Sequence, residues 1–202
     1  MTYIIMSNGT GSRWQNYNNI PKQLIKINNE TLLQRTVRLI KNNSANSRII
    51  ITSKNKQLQT QGAQLYTPLQ DKLEIDRFTY ELISDNVCFL YGDTYYSTLS
   101  VQTIINTPTN DILFFGNEKR IFAVKVGDSK LMKTHIDNVR QLFLQEKIDN
   151  CKGWHLYQSY ANLPWGSKKI TDKYILINDE TQDFNNPNEY EDFLKGNCKQ
   201  LQ

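Results

Sequence analysis

The sequence predicts an α/β fold, a three-layer Rossmann-like sandwich around a mixed, mostly parallel sheet, and three observations predict it. Short apolar runs rich in Ile, Val, Phe and Tyr alternate with stretches of helical periodicity. Their order is strand, helix, strand, helix, strand, which right-handed crossovers convert into parallel pairing. Two polar loops containing glycine, residues 7–20 and Gly92-Asp93, leave apolar runs directly. Sheets of this kind bind ligands beyond the carboxyl ends of their strands.

Taken in order, the strand candidates are residues 3–6, 48–52, 87–91, 112–115, 121–126 and 174–177. Between the first two, Leu32, Leu33, Thr36, Val37 and Ile40 recur on one helical face. Residues 73–83, 130–148 and 187–195 are the next helix candidates. Pro187 suits the first position of the last, because a helix start needs no N–H there.

At 202 residues the chain is long enough to bury a core as one domain, residues 1–202. Apolar residues make up 39% and no apolar run nears the length of a membrane span. The N-terminus enters a strand at once and does not read as a signal peptide, so the expected location is cytoplasmic. The net charge of +4 comes from 24 basic and 20 acidic residues scattered along the chain, which gives no basis for a nucleic-acid or membrane partner. Cys88, Cys151 and Cys198 lie far apart without paired spacing, so neither a disulfide framework nor a zinc site is indicated, and Cys88 reads as a small buried hydrophobe.

The chemistry concentrates in Ser7-Asn8-Gly9-Thr10-Gly11-Ser12-Arg13, followed by Pro21-Lys22-Gln23-Leu24. It is not a Walker loop, since Gly11 precedes Ser12-Arg13, and it lacks the third glycine of a dinucleotide fingerprint. Gly9 and Gly11 permit a ligand to approach the backbone closely, and exposed N–H groups beside Arg13 and Lys22 favour an anion.

This pattern resembles the opening signature of the nucleotidyltransferases with a glycosyltransferase A-like fold, the small cytidylyltransferases and sugar-nucleotide pyrophosphorylases. Ser7-Asn8 stands where that family usually has two alanines. Leu90-Tyr91-Gly92-Asp93 is similar to its strand ending in Gly-Asp, and Asp183-Phe184-Asn185-Asn186-Pro187 to its late Asp-x-Asn-Thr-Pro segment. The resemblance implies that Ser7, Asn8, Gly9, Thr10, Gly11, Ser12, Arg13, Lys22 and Gly92 bind the nucleotide. It makes Arg13 and Lys22 the catalytic cations, and Asp93 and Asp183 the ligands of Mg²⁺, which takes hard oxygen donors. The implied reaction moves a nucleoside monophosphate, CMP from CTP, to a small phosphorylated acceptor and releases pyrophosphate. Positioning and charge neutralisation carry such chemistry, so no side-chain nucleophile is expected. The implied setting is surface-polysaccharide, capsule or lipid-headgroup synthesis, and homodimers are common in the family.

The alternatives are a sugar-1-phosphate pyrophosphorylase using another nucleotide, a glycosyltransferase of related fold, or a nucleotide-binding module without turnover. A glycosyltransferase should show Asp-x-Asp, whereas Thr94-Tyr95 follows Asp93. Residues 72–78 are candidates for base or acceptor contact. Arg120, Lys125, Lys168 and Lys169 are candidates for the acceptor phosphate, and Trp154, Tyr157, Tyr160 and Trp165 for an acceptor pocket. His135 and His155 lack metal-ligand spacing.

Overall fold

A strand with both faces covered reads as a continuous apolar run, and successive side chains of such a run serve opposite cores. The computed structural model, which describes residues 1–9, 14 and 17–198, follows that rule. Its first half comprises β1 (Thr2–Met6), β2 (Lys26–Ile27), β3 (Glu30–Thr31), α1 (Leu32–Asn43), β4 (Arg48–Thr52), β5 (Gln64–Tyr66) and β6 (Val87–Tyr91). Then come β7 (Thr94–Tyr95), α2 (Thr98–Asn106), β8 (Ile112–Gly116), β9 (Ile121–Val126) and α3 (Ser129–Leu144). The chain continues with α4 (Gly153–Tyr160), β10 (Tyr174–Leu176), β11 (Gln182–Asp183) and α5 (Pro187–Cys198).

The seven-stranded sheet has the order β10-β8-β9-β6-β1-β4-β5. Every pairing is parallel except those of β9, which runs against both β8 and β6. Ile4, Phe89, Phe114 and Val124 face one core with Met132, Ile136 and Val139 of α3 and Leu156 of α4. Tyr3, Ile5, Leu90 and Phe115 face the other with Leu33, Val37 and Ile40 of α1 and Val101 and Ile104 of α2. These are the three expected layers. Cys88 is fully buried in the second core, and desolvation pushes its thiol up to about 12, which suits a packing role.

Local chemistry sets the helix ends. Thr31 accepts from the Gln34 N–H at 3.1 Å while Gln34 accepts from the Thr31 N–H at 2.9 Å, a reciprocal cap that starts α1. Ser97 caps α2 and Asp128 caps α3. The helix expected to reach residue 148 ends at Leu144, because Glu146 adopts φ 57° and Lys147 N–H returns to the Leu142 carbonyl at 2.9 Å.

Residues 73–83 correct the sequence reading. They form two 3-10 segments, Glu74–Phe78 and Tyr80–Leu82, parted at Thr79 with φ 16°. Asp76 accepts from the Leu73 N–H at 2.8 Å, a local bond that competes with helix propagation. Ile75 and Phe78, three residues apart, both enter the core, which suits the tighter 3-10 repeat. Among the described residues, no helix is long and apolar enough to cross a membrane.

Candidate active site

The carboxyl ends of β1 and β6 are drawn together first. Gly92 N–H donates to the Met6 carbonyl at 3.0 Å. A Cβ on Gly92 would lie 2.9 Å from that carbonyl oxygen and would collide with the Ser7 side chain, so only glycine permits this approach.

Beyond Gly92 the chain enters β7, which pairs antiparallel with β11, setting Thr94 opposite Asp183. The Phe184 N–H donates to the Asp93 carbonyl at 3.1 Å. This two-residue ladder brings Asp93 and Asp183 together from distant parts of the chain. Phe184 is fully buried and anchors the join in a third cluster with Trp14, Ile25, Ile27, Leu32 and Tyr95. Asn186 caps α5 by accepting from the Glu189 N–H at 3.1 Å, and Glu189 accepts from the Asn185 N–H at 2.7 Å. Pro187 begins the helix as its residue type predicts.

Each carboxylate faces a cation. The Lys22 ammonium, on a 3-10 turn started by Pro21, donates to Asp93. Arg120 Nε lies 3.3 Å from Asp183 Oδ1, and its Nη2 lies 3.9 Å from Glu189. Asn185 donates to the second Asp183 oxygen at 2.6 Å. Burial raises the Asp183 pKa and the charge of Asp93 adds to the rise, while Arg120 opposes it.

These groups line a cavity of about 410 Å³ with Glu74, Arg77, Tyr91, Lys119, Lys152 and Trp154. Arg77 pairs with Glu74 at 3.3 Å, and its guanidinium packs so near Gly9 that a Cβ there would lie 3.0 Å from Nη2. Burial pushes the Tyr91 hydroxyl well above its ordinary pKa, so it remains a neutral hydrogen-bonding group in the wall. Five cationic side chains surround three carboxylates, an arrangement suited to polyanions.

Of the residues predicted from sequence, Lys22, Asp93, Asp183, Arg120 and Trp154 converge on the cavity, whereas Gly92 is outside its lining and packs against the end of β1. Ser7 and Asn8 stand at the end of β1 outside its lining, and the Ser7 hydroxyl and Asn8 amide are buried with no hydrogen-bond partner among the described residues. Thr10, Gly11, Ser12 and Arg13 lie outside the described residues. Lys125 is elsewhere: it is 3% exposed and donates to the carbonyls of Ile104, Ile105 and Thr107 at 3.1, 2.9 and 2.6 Å, closing the end of α2. Lys168 and Lys169 do not line the cavity; the Lys169 carbonyl accepts from the Tyr157 hydroxyl at 3.1 Å. Tyr157 is core, Tyr160 packs against it, and Trp165 stacks on His155 at the surface. His135 pairs with Ser159 at 2.9 Å, so both histidines have structural partners.

Sequence reasoning did not single out Lys119 or Lys152, and it noted Glu74 and Arg77 only within a segment. Lys119 had a signal in its place between two strand candidates, at a hairpin tip beside Arg120. Lys152 precedes Gly153, where any Cβ would collide with the Tyr91 hydroxyl, a constraint that only the assembled fold reveals.

No family model matches the chain, and no curated protein sequence matches it. Solved structures do. The CTP:phosphocholine cytidylyltransferase of Streptococcus pneumoniae aligns at 14% identity with a TM-score of 0.62, covering 96% of this chain and 97% of that one. A glucose-1-phosphate thymidylyltransferase of Bacillus anthracis, so described provisionally, aligns at 14% identity and TM-score 0.61, with 96% and 94% covered. The 4-diphosphocytidyl-2C-methyl-D-erythritol synthase of Anaerococcus prevotii aligns at 12% identity and TM-score 0.60, with 100% and 96% covered. The chain therefore has the fold these nucleotidyltransferases share, over nearly its whole length.

Proposed function

We propose that the protein, which has the fold of these nucleotidyltransferases, transfers a nucleoside monophosphate from a nucleoside triphosphate to a small phosphorylated acceptor. The observation that carries the reading is the pairing of β7 with β11, which holds Asp93 and Asp183 in one cavity with Lys22 and Arg120. A module that only bound nucleotide would not need two carboxylates beside the phosphates. The proposed donor is CTP, supported by the cytidylyltransferases among its structural relatives. The proposed setting is synthesis of a surface polysaccharide or lipid headgroup.

In the reaction an oxygen of the acceptor phosphate attacks the α-phosphorus of the triphosphate. The new phosphorus–oxygen bond forms as the bond to the β-phosphate breaks, and the electron pair leaves with pyrophosphate. The attacking oxygen is already anionic near neutral pH, so no side chain need remove a proton. The chain's task is to hold two anions together and to neutralise charge on the leaving group. Lys22, Arg77 and Arg120 supply positive charge in the cavity.

Asp93 and Asp183 fit Mg²⁺, because both are hard oxygen donors and the burial that raises the Asp183 pKa is the cost a bound cation relieves. Bound there, the ion would supply charge neutralisation at the phosphates.

The test is pyrophosphate release with Mg²⁺, comparing CTP, UTP, GTP and ATP against pooled phosphorylated acceptors. Release should require one nucleotide and one acceptor pool, and Asp93→Asn should lower it on the order of 10²-fold or more. Release unchanged by Asp93→Asn would reject the assignment.

A further inference from the structure

The cavity has a second wall whose charge and rings bear on the acceptor. It is built from the β8–β9 turn and the start of α4, which present Lys119, Arg120, Lys152 and Trp154. The turn is tightly held. Asn117 accepts from the N–H groups of Lys119 and Arg120, both at 2.9 Å, and the Tyr174 hydroxyl lies 2.9 Å from the carbonyl oxygens of Asn117 and Arg120. The Tyr174 ring lies under Trp154, with centroids 5.7 Å apart and planes 13° apart. One residue thus braces both the cationic turn and the indole.

From this wall we infer that the acceptor is a phosphorylated polyhydroxy compound, a polyol or sugar phosphate, and not the phosphate ester of a quaternary or primary amine. The inference rests on the proposed function and specifies its second substrate.

A cationic headgroup needs several converging aromatic faces or a carboxylate with charge to spare. Neither is present among the described residues. Trp154 and Tyr91 are the aromatic side chains lining the cavity, and one face of Trp154 is covered by Tyr174. Asp93 and Asp183 are matched by Lys22 and Arg120, while Glu74 sits 3.3 Å from Arg77 and 4.0 Å from Lys152. Lys119 has no carboxylate within ion-pair distance among the described residues, so the surplus charge here is positive. A quaternary ammonium would meet repulsion. A neutral hydroxyl-bearing skeleton would find donors and acceptors in Lys119, Lys152 and Glu74, and an indole surface for its C–H face.

The test measures acceptor binding directly, by titrating glycerol 3-phosphate, ribitol 5-phosphate, glucose 1-phosphate, phosphocholine and phosphoethanolamine into the protein and following heat and tryptophan fluorescence. Pyrophosphate release with the preferred nucleotide is measured on the same set. At least one polyol or sugar phosphate should bind and turn over roughly tenfold or more better than either amine ester. Lys152→Glu should narrow that ratio roughly fivefold to tenfold, by weakening the polyol or sugar phosphate and relieving the amine esters. Phosphocholine or phosphoethanolamine binding as tightly as the best polyhydroxy ester, or a ratio indifferent to Lys152→Glu, would overturn the inference. Turnover of phosphocholine alone would overturn it while upholding nucleotidyl transfer, whereas failure to bind any nucleotide would fall on the proposed function instead.

Discussion

Asp183 shows what a buried carboxylate costs the fold that holds it. Its side chain is 18% exposed, and burial with the nearby Asp93 charge raises its pKa above the unfolded value. The native state therefore binds this proton more tightly than the unfolded state does. As pH rises from the ordinary carboxylate range through the raised native pKa, the unfolded state releases its proton first and stability falls. The penalty is absent below the unfolded pKa and complete above the native one. Asp183→Asn removes it, so the variant should melt roughly 2–4 °C higher than the parent at pH 7–8, with the difference shrinking toward pH 4, while turnover is lost. Calorimetry across pH checks this, and an equal difference at every pH would assign the effect elsewhere. At this scale the sequence was legible where a residue belonged to a spaced signature: Lys22, Asp93 and Asp183 all reach the cavity. Isolated charges were only partly legible: Arg120 and Lys125 were candidates alike, and only the register of β9 sets one beside a hairpin tip in the cavity and the other under α2.

Among elements, the end of α2 depends on a charge from another layer. Lys125 leaves β9 one residue before its end and satisfies three carbonyls at the helix terminus, where positive charge also suits the macrodipole. Lys125→Met keeps the bulk and strands those carbonyls, and should cost about 2–4 kcal/mol in urea unfolding without changing the KM of either substrate. A raised acceptor KM at unchanged stability would return Lys125 to the binding role its charge alone suggests. Strands of five or six residues with both faces buried were legible from their apolar runs, and those of β4, β6 and β9 match at both ends. The pairing of β7 with β11 was not, because two residues cannot display an alternation and their partners are remote in sequence. The 73–83 segment has enough apolar residues for a helix, but the side chain of Asp76 and the demands of the core select 3-10 turns.

At the scale of the whole molecule, the described residues form three apolar clusters, and the third is separate from the sheet's two cores. It joins Trp14, Ile25, Ile27, Leu32, Tyr95 and Phe184, and Tyr190 and Phe193 of α5 pack on it. It thereby ties the segment carrying Lys22 to the segment carrying Asp183. Native-state hydrogen exchange should find residues 22–27 and 184–195 opening together, at lower free energy than β1, β4 and β6. Phe184→Leu should speed their exchange roughly tenfold and leave the central strands unchanged. Uniform acceleration would mean that the third cluster unfolds only with the rest. The reversed direction of β9 has a different consequence. A parallel sheet offers its carboxyl edge only the loops that lead into crossovers, whereas reversing one strand places a short hairpin turn there as well. That turn can be lengthened, shortened or recharged without disturbing any crossover. Under the proposed function, acceptor choice and phosphate chemistry are therefore separable inheritances: residues 117–119 can be exchanged while the two carboxylates, Lys22 and Arg120 stay fixed.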